Sequence, residues 1–139
     1  MSSRDAPPNA PLLLFAENVT ALERDGGRVL WVYDPGEEAV RRFAMTDDRV
    51  YLIDRAGTLH CLQLATGQLI GRIQLAIMSA ENMLIDAGRI FVASDSKVIT
   101  LDLDGRVLWE QSVTRNVRHT LTGMGIPGGP SIQPDWSRG

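Results

Sequence analysis

Gly27-Arg28-Val29-Leu30-Trp31 returns as Gly105-Arg106-Val107-Leu108-Trp109, and between them Gly67-Gln68-Leu69-Ile70-Gly71 keeps the pattern without its tryptophan. The three leading glycines stand 40 and 38 residues apart. The segments ahead of them repeat as well: Val19-Thr20-Ala21-Leu22, Leu59-His60-Cys61-Leu62 and Val98-Ile99-Thr100-Leu101. Further upstream, Arg49-Val50-Tyr51-Leu52-Ile53-Asp54 matches Arg89-Ile90-Phe91-Val92-Ala93-Ser94. A constant period across separate sub-motifs marks a repeat architecture.

Each unit reads as short strands separated by turns. Residues 50–54, 58–64 and 68–75 are rich in β-branched and aromatic side chains and partly alternate. Between them lie Arg55-Ala56-Gly57 and Ala65-Thr66-Gly67, where glycine supplies the positive φ of a tight hairpin. No stretch of ten residues combines helical period with caps. The class is all-β, and a period of about 40 residues with four short strands is that of a propeller blade.

Asp25-Gly26-Gly27-Arg28-Val29-Leu30-Trp31 resembles the repeat of the quinoprotein alcohol dehydrogenase-like (PQQ-like) propeller family. Residues 64–70 and 103–109 look like two further copies, and the strand pattern ahead of the turn is matched by residues 50–62. The resemblance covers residues 12–113, nearly three quarters of the chain. It implies that Trp31 and Trp109 pack between neighbouring blades, with Gly27, Gly67 and Gly105 as the accompanying structural positions. It does not bring the enzymology with it. A quinone-binding member would carry a vicinal cysteine pair, and this chain has a single cysteine, Cys61. No cofactor is expected.

The strand count sets a problem. Residues 39–46 and 80–85 read as the first strands of two complete blades, over residues 37–75 and 76–113. The unit over residues 12–36 is preceded by an N-terminus with three prolines, residues 1–11, and lacks its first strand. Residues 115–122 follow the last complete blade and resemble residues 39–46, so one strand is left over. Three blades are too few for a ring, since propellers use about 4–8. The economical expectation is a homodimer in which residues 115–122 of each copy complete the first blade of the other, closing a six-bladed ring. An edge within the same chain, or a different propeller fragment, are the alternatives.

With 17 acidic against 14 basic residues the net charge is −3, which offers nucleic acid and anionic membrane no attraction. The apolar run over residues 12–16 is far short of the roughly 18 residues of a spanning helix, and the N-terminus lacks the basic start and apolar core of a secretory signal. The expectation is no membrane partner and a cytoplasmic location.

Few residues suggest chemistry. His60 and His119 are the two histidines, and nothing beside them supplies the third and fourth ligands of a metal site; both read as structural or surface residues. Asp25, Asp47, Asp48, Asp86, Asp95 and Asp104 recur at turns, where aspartate caps backbone N–H groups. Arg41, Arg42, Arg115 and Arg118 lie on the two related strands. If those strands are innermost, Arg41, Arg42 and Arg118 line a channel that attracts an anion. The tail, residues 123–139, is rich in Gly and Pro, and Ile126, Ile132 and Trp136 are its candidate anchors on a partner. Two functions follow: a non-catalytic protein-binding or scaffold module, or a small-ligand or enzymatic module with its site in the channel of the assembled ring.

Overall fold

The computed structural model describes residues 6–77, 80, 82–94, 96–113 and 123–132. The closing strand expected at 115–122, with Arg115, Arg118 and His119, lies outside these residues, as does Trp136.

Among the described residues there is no helix. The strands are β1 (Leu12–Phe15), β2 (Val19–Leu22), β3 (Val29–Tyr33), β4 (Val40–Met45), β5 (Arg49–Asp54), β6 (Thr58–Gln63), β7 (Leu69–Gln74), β8 (Asn82–Asp86), β9 (Arg89–Ala93), β10 (Lys97–Asp102), β11 (Val107–Ser112), β12 (Met124–Gly125) and β13 (Ser131–Ile132). They form antiparallel sheets in sequence order: β1-β2-β3, β4-β5-β6-β7 and β8-β9-β10-β11. The first sheet has three strands and the next two have four, as the repeat predicts. Among the described residues the sheets do not close a ring.

The period-2 alternation of strand side chains places the core. On β5, Val50 and Leu52 turn towards sheet 1 and pack with Val19, Leu62, Leu13 and Trp31. Tyr51 and Ile53 turn the other way and pack with Leu59, Met83, Ile90, Val92, Ile99 and Leu101. A strand buried on both faces has no solvent side, which is why residues 50–54 are all buried. First strands β4 and β8 of adjacent sheets approach one another. Phe15 and Phe43 also stack, with ring centroids 3.8 Å apart and planes 2° from parallel.

All three sheets carry a register shift at one equivalent point, after Ala21, Cys61 and Thr100. The hairpin following it is the same in the first two units. Gly27 N–H donates to Glu23 O and Glu23 N–H to Arg28 O, at 2.8 and 2.7 Å; Gly67 N–H donates to Gln63 O and Gln63 N–H to Gln68 O, at 2.8 and 2.9 Å. In the third unit Asp102 N–H donates to Arg106 O and Gly105 N–H to Asp102 O. That turn is one residue shorter, which accounts for part of the drop in spacing from 40 to 38.

Part of the Gly- and Pro-rich tail carries structure of its own. Residues 124–132 form a two-stranded hairpin that lies beside β8. Ile126 N–H donates to Pro130 O at 2.9 Å and Gly129 N–H to Ile126 O at 2.7 Å, closing the Pro127-Gly128-Gly129-Pro130 turn. Ile126 and Ile132 are half-buried there.

Candidate functional site

The junctions between sheets hold the chemistry-bearing side chains. At the first junction Trp31, on β3, sits opposite Ala21 and turns towards sheet 2. Its Nε1–H donates to Leu64 O at 2.9 Å. A Cβ at Gly67 would run into the indole ring, so the residue beneath it must be glycine, and its φ of +75° demands glycine independently. Trp31 thus lies against the Leu64–Gly67 turn of the second sheet.

Trp109 holds the equivalent place on β11, opposite Thr100. Alternation turns it away from sheet 2, and it is 47% exposed. On the first sheet, Leu12, Leu14, Val29 and Val32 turn away from sheet 2, and all four are large, apolar and exposed. Gly27 has φ +77°, and a Cβ built on it would meet nothing within 4 Å.

His60 is fully buried and bridges the first junction. Its Nε2 lies 3.0 Å from Asp54 Oδ2, and its Nδ1 lies 2.8 Å from the Tyr33 hydroxyl. A carboxylate only accepts, so a ring with its proton on Nε2 donates to Asp54 and accepts the Tyr33 O–H at Nδ1. Asp54 Oδ1 accepts in turn from the N–H groups of Ala56 and Thr58, at 2.9 and 3.0 Å. Burial raises the Tyr33 hydroxyl above its ordinary pKa. The chain Tyr33–His60–Asp54 thus ties β3 of one sheet to β6 of the next. With its histidine and carboxylate buried it is a structural latch, and its Tyr33 partner had no signal in the sequence.

The turn carboxylates differ in part from those nominated. Asp102 Oδ1 accepts the N–H groups of Asp104 and Arg106, both at 2.9 Å, and the Arg106 bond above all lowers the Asp102 pKa. Asp54 and Asp102, each at the first position of its turn, do the capping, while Asp48 accepts the Thr46 hydroxyl at 3.0 Å.

Arg41 and Arg42 lie half-buried on β4, where a register shift falls between Val40 and Arg42. Arg41 Nε donates to Ala80 O at 3.0 Å, crossing to the segment that leads into sheet 3. Arg42 Nη1 donates to Arg41 O at 2.7 Å.

The second junction is built differently. Gly71 occupies the place of Trp31, opposite Cys61. Leu103 O, the counterpart of Leu64 O, accepts from Tyr51 Oη at 2.7 Å and from Arg49 Nη1 at 3.0 Å. Burial pushes the Tyr51 hydroxyl up to about 12 and raises the Cys61 thiol as well. A cavity of about 240 Å³ remains here, and another of about 810 Å³ is lined by Ala6, Pro7, Pro11, Leu30 and Ile70 among others.

With this geometry the kinship of the chain can be stated. A family model described as the outer membrane protein assembly factor BamB, a PQQ-like repeat family, matches residues 16–127. The chain belongs to this family. BamB-type PQQ-like repeats thus account for the repeated sheets and for the docking of Trp31 on Gly67. BamB from Moraxella catarrhalis superimposes with a TM-score of 0.65 at 21% identity, over 78% of this chain and 34% of that one. The quinohemoprotein alcohol dehydrogenase from Comamonas testosteroni gives 0.64 at 18% identity, over 75% and 20%. The WD40 repeats of RRP9 give 0.67 at 12% identity, over 76% and 36%. The chain therefore spans about a third or less of the length of these solved structures, and the likeness is one of propeller fold. No curated protein matches at the sequence level.

The residues present do not fit the quinone cofactor of the dehydrogenase branch. The single cysteine, Cys61, lies in an inter-sheet junction, and among the described residues no three His, Cys, Asp or Glu side chains cluster as metal ligands.

Proposed function

We propose that the chain is a non-catalytic protein-binding module of the BamB-like type, whose ring is closed by a second copy. The observation that carries this reading is the repetition of one half-junction at each end. Trp109 stands where Trp31 stands, and the turn over residues 23–28 has the hydrogen bonds of the turn over 63–68 that receives Trp31. In a two-fold dimer Trp109 of each copy docks on Gly27 of the other, and Leu12, Leu14, Val29 and Val32 are covered. Six blades result, within the usual range of about 4–8. Exchange of residues 115–122 would supply the fourth strand of the first sheet and remove its unpaired edge. Protein binding is carried over from the family, whose description is that of an assembly factor.

Positive charge at Arg41, Arg42 and Arg118 towards the ring's channel is part of the same proposal. It supports an anionic ligand or acidic loop as the channel's occupant. Static light scattering on the size-fractionated chain tests the assembly. A mass near twice 15.3 kDa, reduced to the monomer by Trp109→Glu and by truncation after residue 114, supports it. A folded wild-type monomer overturns self-closure.

A further inference from the structure

The repeat places a tryptophan on the outer strand of units one and three and a glycine on that of unit two. The exchange has a spatial consequence. At the first junction the slot between sheets is filled by the Trp31 indole, which rests over Gly67 and donates to Leu64 O. At the second junction the corresponding slot has walls and no ring seated in it from the described residues. A Cβ at Gly71 would meet nothing within 4 Å, and the same holds at Gly105, the counterpart of Gly67. The cavity of about 240 Å³ is lined by Tyr51, Leu59, Cys61, Gly71, Leu103 and Gly105. An apolar cavity of about 150 Å³ accommodates benzene, so this one has room for a bicyclic ring.

The acceptor that the missing indole would have used has been reassigned. Leu103 O takes the Tyr51 hydroxyl and Arg49 in its place, so no buried carbonyl is left unpaired by the absence of the tryptophan. The cavity therefore carries no penalty from an unpaired Leu103 carbonyl. Arg49 also lies 3.4 Å from Asp104 Oδ1 at the mouth. Its guanidinium gives a planar ring a cation–π partner, and the exposed Asp104 carboxylate gives an acceptor for a ring N–H.

We propose that this slot binds an indole ring supplied from outside the chain, either as a free small aromatic or as a tryptophan side chain of a partner polypeptide. Both walls belong to one chain, so the site does not depend on ring closure, and its failure would leave the proposed assembly untouched.

Amide chemical shifts of the ¹⁵N-labelled chain titrated with indole and with N-acetyltryptophanamide test it. Saturable shifts centred on Tyr51, Leu59, Gly71 and Gly105 are expected, with a dissociation constant on the order of 1 mM or tighter. Gly71→Trp, which furnishes the slot with its own ring, should abolish them. Alkylation of Cys61 in the wild type gives a second reading that does not depend on the folding of that variant: indole should slow it at least threefold at saturation. Binding of both probes assigns the slot to peptide-borne tryptophan; binding of indole alone assigns it to a free aromatic. Absence of saturable shifts with either probe, or unprotected Cys61, overturns the proposal, as do shifts that persist in folded Gly71→Trp.

Discussion

The indole of Trp31 fills the space that a side chain at residue 67 would need, while its Nε1–H reaches past that turn to Leu64 O. One residue from each of two sheets thus defines their separation. The tryptophan requires the glycine beneath it, and the glycine's positive φ makes the turn that presents Leu64 O. This pairing explains why the motif repeats as a unit rather than as scattered apolar positions.

Gly67→Ala is expected to cost about 2–4 kcal/mol, from left-handed backbone strain and displacement of the ring. In a Trp31→Ala background no ring has to move, and the cost of Gly67→Ala should fall to the backbone share of about 1–2 kcal/mol. A double-mutant cycle from urea unfolding measures the difference. Additive costs would show that the two residues do not share a contact in solution.

The latch across the same junction makes a separate expectation. Tyr33→Phe removes the donor to His60 Nδ1 and leaves a buried acceptor unpaired, at a cost of about 1–3 kcal/mol. His60→Leu removes the acceptor but strands a buried Asp54 oxygen that has only part of its partners left, and should cost more. Denaturation midpoints of the two variants, compared at neutral pH, give the ranking.

Much of this fold was legible because glycine and aspartate punctuate it. The strands expected at 39–46, 50–54, 58–64, 68–75 and 80–85 lie within two residues of those bounds, and the three-, four- and four-stranded sheets follow from the count of apolar segments. What sequence could not convey is partnership across junctions. His60 looked structural from its apolar neighbours, but Tyr33 is 27 residues away, in another unit, with no local pattern linking them. Likewise Asp54 and Asp102 cap because they stand first in their turns, where Oδ1 meets the second and fourth N–H groups. Counting aspartates at turns picked out the residues inside the turns instead. The hairpin over residues 124–132 escaped because arms of two residues are too short to alternate. The loss of tryptophan at Gly71 was visible in sequence, but its meaning as a slot needed the walls.

Stability should fall at alkaline pH through Tyr51. Its hydroxyl titrates at about 12 in the folded chain, raised first by burial, against about 10 when unfolded. The unfolded state then releases a proton that the folded state keeps, so stability is intact below pH 10 and declines between pH 10 and 12. Tyr51→Phe should be less stable at pH 7, where the bond to Leu103 O is lost, and should show a shallower decline above pH 10. Urea midpoints of both proteins from pH 8 to 12 check the sign.

Thr100 offers a gain rather than a loss. Its hydroxyl is buried without a hydrogen-bond partner among the described residues, opposite Trp109. The equivalent positions carry Ala21 and Cys61, neither of which brings a strong donor or acceptor. Thr100→Val keeps the branched shape suited to a strand and removes the unpaired group. Replacing an unsatisfied buried hydroxyl in this way should be neutral to stabilising, by up to about 1 kcal/mol. A loss of stability in Thr100→Val would mean that the hydroxyl finds a partner in solution. Were that loss confined to the dimer, the partner would belong to the second copy docked on Trp109.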